Sequence, residues 1–380
     1  MLVLDGSFGE GGGQILRNAI AYASVLQLNL QIINIRAGRS QPGLKAQHLT
    51  SLQLVAKASG ATISGDHVGS QEITYTAVKE GPQQHPLRTN VFLGDTKTAG
   101  SITLVLQAII PYALFGSFTS KTVEWNFKGG TNVGMAPQYE YWEQVFLPML
   151  LKVFPSISSN CIRPKLQRRG YFPKGGGHVQ LYTQSCTLPL PAFSLVERGE
   201  VSHISIRAFF AGNCPKTVAT KMAKAAKEEL EHVFPIEIVS IEVVHDTPAV
   251  GSGSGIIVIA TTTSGCRLAG SAIGSPRQSP QLVGRQAAME LLKTLQCGGC
   301  VDDYLQDQLI LYMALARGTS TLKAGSLTLH TQTAIEVAEK LCGARFKIQP
   351  QPTEERDSNG RLSGLYEIQC EGAGVGKTST

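Results

Sequence analysis

A short grammar recurs along this chain and limits what it can fold into. An apolar, strand-like run is followed by a glycine-rich turn and then by apolar residues at helical spacing. In VLDGSFGEGGGQILRNAIAYAS (3–24) the stripe is Ile15, Leu16, Ala19, Ile20 and Ala23; in FLGDTKTAGSITLVLQAII (92–110) it is Ile102, Val105, Ala108 and Ile109. Similar turns stand at KGGT (128–131) and KGGG (174–177). The first two starts lie roughly 90 residues apart, a period that suits a repeated αβ unit better than a solenoid. Forty glycines among 380 residues serve this pattern. Without Cβ they let the backbone turn tightly and approach a phosphate.

Residues 185–284 break the pattern. SHISIRAFF alternates as a strand, and KTVATKMAKAAKEELEHVF carries a stripe of Val218, Met222, Ala225, Ala226, Leu230 and Val233. IEIVSIEVV and GIIVIATTT read as further strands, and GSPRQSPQ (274–281) as a linker. Beyond it the spacing predicts helices over 286–295 and 302–316, a strand over 326–330 and a helix over 334–342. The tail after Cys370 has no periodicity and is expected to fray.

The hydrophobic share of 42% supports a sizeable core, and 34 Lys and Arg against 28 Asp and Glu leave +6, which permits an anionic partner without requiring one. Eight cysteines, none before Cys161, fit reduced thiols in a cytosolic or nuclear protein better than a disulfide framework. The start, MLVLDGSFGE, lacks the basic region of a signal peptide, and the longest apolar stretch (102–116) is interrupted by Gln107 and Pro111. A soluble protein is expected.

Between Glu10 and Asp66 there is no acidic residue, whereas the same segment holds Arg17, Arg36, Arg39, Lys45, Lys57 and His48. Glycine turns that bare N–H groups, a helix N-terminus and Arg forks together suit a polyanion cradle; a solvated basic face is the alternative. RPKLQRRGYFPK (163–174) interleaves bases with Tyr171 and Phe172, which suits single-stranded nucleic acid or an ordinary loop.

His330 falls where SLTLH meets Thr333-Ala-Ile-Glu336, a sequence read as a capping box, so it is expected at a strand's end before a helix N-terminus. That position favours neutral imidazole and attracts phosphate, as a nucleophile attacking phosphorus requires. In DDYLQDQLILYMALA, Tyr304, Asp307 and Gln308 share a helix face that could hold a base, a ribose or a metal, or simply meet solvent. Cys297-Gly-Gly-Cys300 has no second ligand pair at zinc-site spacing, and EGAGVGKTST lacks both the leading glycine and the following helix of a phosphate-binding loop.

GSFGEGGGQILR, IRAGRSQPGLKAQHL, DTKTAGS, KGGTN, MAPQ, RRGYFPKGGG, YLQDQL, MALA and TLHTQTAI together resemble the RNA 3′-terminal phosphate cyclases, from about residue 3 to about residue 370 and closest to the eukaryotic type. The resemblance implies an α/β (α+β) fold: three repeated units of two helices on a four-stranded sheet, with a smaller αβ domain inserted. The catalytic domain is then 1–184 plus 285–380, and the insert 185–284. It also implies ATP-dependent conversion of an RNA 3′-terminal phosphate to a 2′,3′-cyclic phosphodiester through a histidine–AMP adduct and an RNA-adenylate, releasing pyrophosphate and AMP. His330 matches the nucleophile, and Gln107, Pro137, Tyr304, Asp307 and Gln308 match the adenylate pocket. Arg17, Arg36 and Arg39 match phosphate-binding positions, with Gln47 and His48 lining the same site. Glu10 matches a contact to a divalent cation, Mg or Mn. The expected partners are ATP and RNA with a 3′-phosphate end, with no membrane; the expected place is the nucleoplasm, with the cytoplasm as a further place. Two rivals are a non-catalytic relative acting in ribosome or RNA assembly, and an enolpyruvyl transferase built from related repeats.

Overall fold

The computed structural model describes residues 1–78, 90–116, 118, 120–184, 186–351 and 364–376. The first unit runs β1 (Leu2–Asp5), α1 (Gly13–Val25), β2 (Leu30–Ile33), α2 (Ala46–Ser59), β3 (Thr62–Ser64) and β4 (Ile73–Thr76). Its sheet has the order β1-β2-β4-β3, with β1 parallel to β2 and the other pairs antiparallel. A parallel pair needs a crossover, and α1 supplies it, burying the predicted stripe of Ile15, Leu16, Ala19, Ile20 and Ala23.

The second unit repeats this plan: β5 (Val91–Asp95), α3 (Ile102–Phe115), β6 (Val123–Gly129), a helical segment, β7 (Ile162–Gly170) and β8 (Gly177–Thr183). The helical segment comprises α4 (Tyr139–Tyr141), a π turn over Trp142–Phe146 and α5 (Leu147–Val153). Here β5 is parallel to β6, and β8 lies antiparallel between β6 and β7. The third unit opens with β9 (Ser194–Leu195). Its remaining elements come only after an excursion of the chain.

That excursion is a body of its own: β10 (Val201–Ala211), α6 (Lys216–Glu231), β11 (Val239–His245), β12 (Ala249–Val250), β13 (Gly253–Thr262), β14 (Arg267–Ile273) and α7 (Pro280–Gln296). Its sheet has the order β11-β10-β13-β14, and β12 leaves it to pair with β7 as a fifth strand of the second sheet. The expected linker ends at Ser279, whose hydroxyl caps α7 by accepting from Leu282 N–H at 3.2 Å. The expected boundary at 284 falls inside α7, where Gly284 lets the helix cross α6: a Cβ there would come within 2.1 Å of the Met222 carbonyl oxygen. At the neck of the excursion the Arg198 guanidinium hydrogen-bonds the Leu295 carbonyl, tying its outgoing and returning strands of chain together.

The chain then completes the third unit with α8 (Asp303–Leu315), β15 (Arg317–Ala324), α9 (Leu329–Cys342), β16 (Arg345–Gln351) and β17 (Leu365–Ala373). Its order is β16-β17-β15-β9, with β9 parallel to β15 and the rest antiparallel, the pattern of the first two sheets.

Two expectations are corrected. No strand covers 326–330: the strand is upstream at 317–324, and the Thr328 hydroxyl caps α9 by accepting from Thr331 N–H at 3.0 Å, so the helix begins at Leu329. The residues after Cys370 do not fray at once, because Glu371, Gly372 and Ala373 continue β17. Lys377 and Thr378 lie outside the described residues. Among the described residues no helix is long and apolar enough to cross a membrane.

Candidate active site

The starts of α1, α2, α3, α8 and α9 all contribute to the wall of one cavity of about 650 Å3. The first turns of α1, α2, α3 and α9 contain no acidic residue. Their N–H groups and dipoles therefore add positive potential, which the Glu10 carboxylate beside the start of α1 partly offsets. No side chain caps α1 at Gly12, and Gly12, Gly13 and Gln14 line the cavity.

His330 is on this wall, as the second residue of α9 rather than the last of a strand, and it is exposed. Partial loss of water around the ring lowers its pKa; Glu10 opposes this, and Arg17 and Arg39 add to it. The ring is therefore neutral near pH 7, with a lone pair free for attack. The start of its helix is fixed from behind by Gln306, a buried amide on α8. Its Oε1 accepts from Thr328 N–H at 3.3 Å and from the Thr331 hydroxyl at 2.5 Å. Thr333 does not form the expected capping box. Its hydroxyl accepts from Glu10 N–H at 3.0 Å and donates to the Leu329 carbonyl at 2.7 Å.

Arg17 projects from α1 into the cavity floor, where its Nε donates to Gln107 Oε1 at 2.7 Å and Nη2 donates to Gln14 Oε1 at 2.8 Å. Burial lowers its pKa to about 10, so it stays cationic near neutrality. Arg36 adopts a left-handed φ of 54° and donates through Nη1 to the Gln41 and Gly43 carbonyls, both at 2.8 Å. Arg39 reaches across to the glycine turn, pairing with the Glu10 carboxylate and donating to the Glu10 carbonyl at 2.7 Å.

The neighbours Gln47 and His48 have different surroundings. Gln47 Oε1 accepts from Ser101 N–H at 3.0 Å, tying α2 to the start of α3. His48 Nδ1 accepts from Lys45 N–H at 3.2 Å, which directs its other nitrogen toward Gly13 and Arg17. Burial, with Arg17, Arg36 and Lys45 beside it, lowers the His48 pKa to about 3, so this ring is neutral as well.

Pro137, Tyr304 and Asp307 line the same cavity, Asp307 beside Arg17 and Gln14 of α1. The Pro137 carbonyl accepts from the Thr103 hydroxyl at 2.7 Å, and the Tyr304 ring packs edge-on against Tyr141 at 5.4 Å. Burial raises the Asp307 pKa to about 7, against the pull of Arg17. Gln308 departs from this group: it is absent from the cavity wall and its Nε2 donates to the Tyr304 carbonyl at 2.8 Å. One turn of α8 thus splits the predicted trio.

The structure adds wall residues that the sequence reading did not single out as a site, among them Ser101, Met135, Glu290 and Asp303, and it keeps Lys45 of the acid-free segment on the wall. Lys45 and Ser101 carry a usable signal, since each directly precedes a helix on a glycine-containing turn. Glu290 carries none, because it arrives from the inserted body through α7. The second basic string splits: Arg163, Lys165, Arg168 and Lys174 are exposed, whereas Arg169 and Tyr171 are buried and cannot track a polyanion. Glu10 Oε2 is a buried oxygen without a hydrogen-bond partner, beside the cavity. Among the described residues no group of three or more His, Cys, Asp or Glu could hold a metal, so a cation here would take most of its ligands from elsewhere.

A cavity with positive helix ends, three arginines and an exposed neutral histidine suits a nucleophile acting on a phosphate ester. Comparison with known proteins agrees in kind. The family model for RNA 3′-terminal phosphate cyclase matches residues 8–348. A protein of that name from Drosophila melanogaster is 36% identical over 376 residues, covering 98% of this chain and 97% of the relative. One from Pyrococcus furiosus is 40% identical over 352 residues, 92% and 95% respectively, and one from Pyrobaculum aerophilum is 33% identical over 374 residues, 98% and 99%. A match this long, with the three-sheet frame and the cavity residues falling inside it, makes the chain a member of the RNA 3′-terminal phosphate cyclase family.

Proposed function

We propose that this chain is an ATP-dependent enzyme that closes the 3′-terminal phosphate of RNA into a 2′,3′-cyclic phosphodiester, with His330 carrying AMP between substrates. The observation that carries this reading is His330 itself, exposed on a cavity wall shared with Arg17, Arg36 and Arg39.

A phosphate oxygen is a poor leaving group, so the terminal phosphate must be activated. In the first step an imidazole nitrogen of His330 attacks the α-phosphorus of ATP. A P–N bond forms, the P–O bond to the β-phosphate breaks and pyrophosphate leaves; the ring loses a proton to solvent. In the second step an oxygen of the RNA 3′-phosphate attacks the same phosphorus and the P–N bond breaks, with a proton returning to the ring. In the third step the neighbouring 2′-OH attacks the 3′-phosphorus, its proton passes to solvent, and AMP departs with the electron pair of the P–O bond.

Arg17, Arg36, Arg39 and the helix N-termini are suited to hold the phosphates and to stabilise charge as it builds at phosphorus. Pro137, Tyr304 and Asp307 offer an apolar face, an aromatic ring and a carboxylate for adenosine. Glu10, with its unpartnered Oε2, would hold a divalent cation, which supplies charge neutralisation for the triphosphate. The exposed Arg163, Lys165, Arg168 and Lys174 offer a path for the RNA backbone. The proposed place of action is the nucleoplasm.

Incubation with α-labelled ATP and magnesium tests the reading. Wild type should retain label through denaturation, lose it in acid, and release it as AMP when an added 3′-phosphorylated oligonucleotide is converted to its cyclic form; His330→Ala should take no label. An unlabelled wild type would instead favour a binding role in RNA assembly.

A further inference from the structure

The cavity wall contributed by residues 133–137 is a loop with Met135 at its tip, 97% exposed and at φ 59°. Such a tip has little to hold it locally. Its two flanks, by contrast, are sunk into a polar cluster shared with the inserted body. On one side Asn132 is 1% exposed, and its Nδ2 donates to Glu140 Oε2 at 2.7 Å. On the other, Gln138 is 1% exposed, and its Nε2 donates to the Ile256 carbonyl on β13 at 3.3 Å.

Arg169 sits at the centre of this cluster. Its Nη2 pairs with Glu140, its Nη1 donates to Asn132 Oδ1 at 3.3 Å, and its Nε meets Asp246 Oδ2 at 3.1 Å. Tyr139 and Phe209 stack their rings on the guanidinium, and the Tyr171 hydroxyl donates to the same Asp246 oxygen at 3.2 Å. Asp246 and Phe209 belong to the inserted body; Asn132, Glu140, Tyr139 and Arg169 belong to the second unit. The backbone joins the same two parts, with Arg169 N–H donating to the Pro248 carbonyl at 2.9 Å. The charges of this cluster are buried and paired, and removing one partner of such a pair leaves the other uncompensated.

We propose that the inserted body acts as the buttress of the 133–137 loop, and that Asp246 and Arg169 are positioning residues for the nucleotide side of the cavity. The assignment of that side to ATP rests on the function proposed above; the mechanical link does not. Without Asp246 one oxygen pair is lost from Arg169, the guanidinium turns toward Glu140 and Asn132, and both flanks of the loop lose their fixed register. The phosphate side, built from α1, α2 and α9, has no part in the cluster.

The test uses the full chain carrying Met135→Trp, since Trp125 and Trp142 are buried and the new indole alone reports the loop. Asp246→Asn in this background should lower the fluorescence anisotropy of the indole and increase its quenching by acrylamide. In the otherwise wild-type chain the same substitution should raise KM for ATP in steady-state cyclisation by about tenfold with kcat nearly unchanged, and leave binding of a 3′-phosphorylated oligonucleotide intact. Unchanged anisotropy and unchanged KM would overturn the proposal. Tyr171→Phe removes a single hydroxyl and carries the same test in milder form should Asp246→Asn fail to fold. If wild type takes no label at all, the ATP assignment fails, while the loop signal still decides whether the inserted body holds it.

Discussion

The Thr333 hydroxyl accepts a hydrogen bond from the Glu10 backbone N–H at 3.0 Å, across a separation of 323 residues. It joins the turn before α1 to the first turns of α9, and so couples the acid-bearing turn to the helix that carries His330. Gly9 makes the approach possible, since a Cβ there would lie within 2.4 Å of that hydroxyl. Thr333→Val keeps the shape and removes the acceptor. It should cost about 1–3 kcal/mol in a denaturant titration and slow labelling of His330. A variant as stable as wild type would mean that another group satisfies the Glu10 N–H.

Arg39 and Lys57 both lie in the acid-free segment, yet only Arg39 reaches the cavity, while Lys57 is exposed on α2. Arg39→Ala should therefore lower cyclisation on the order of a hundredfold, and Lys57→Ala should change it by no more than about twofold. Equal losses in a steady-state assay would reduce the segment to a charged surface.

Gly13 is the first residue of α1, and a Cβ built on it would meet His48 Nε2 at 2.5 Å and Arg17 Nη1 at 2.7 Å. Gly13→Ala brings opposing effects. Alanine favours a helix by about 1 kcal/mol, so melting should change little, whereas the displaced Arg17 and His48 should cost activity. Full activity in this variant would show that the cavity floor can give way.

Burial raises the Glu290 pKa from 4.5 to about 7, helped by Asp302 and Asp303, while a hydrogen bond from Ser271 N–H and the charge of Lys293 oppose it. Between those values the folded chain holds a proton that the unfolded chain has released, so this group's contribution falls as pH rises and the loss is complete above pH 7. Glu290→Gln should raise Tm relative to wild type at pH 8 and make no difference at pH 4. A Tm gap that does not change with pH would argue against the buried acid.

Much of this was legible in the sequence because it depends on local rules. The α1 and α3 stripes were readable from 3.6-residue spacing, and the acid-free segment does supply arginines to the cavity. What failed depended on distant partners. SLTLH alternates as a strand should, but Thr328 found a capping role and a bond to Gln306, which only the fold brings near. Arg169 reads like its neighbour Arg168, yet Asp246 and Glu140 draw it into the interior. Gln308 is the exception, a local one: it sits one residue from Asp307, and that single step turns it from the cavity to the Tyr304 carbonyl of its own helix.

The tie between Arg198 and the Leu295 carbonyl spans 97 positions of sequence at the neck of the inserted body. Without it, joining β9 to β15 would mean closing a detour like the 127-residue one between Phe193 N–H and the Ser320 hydroxyl. Once that body is folded and its neck cinched, the rest of the chain meets only a short bridge, and the entropy of closing so wide a ring is largely spent beforehand. An ancestral chain could thus have acquired a whole extra module midway through its last repeat without losing the ability to close that repeat's sheet.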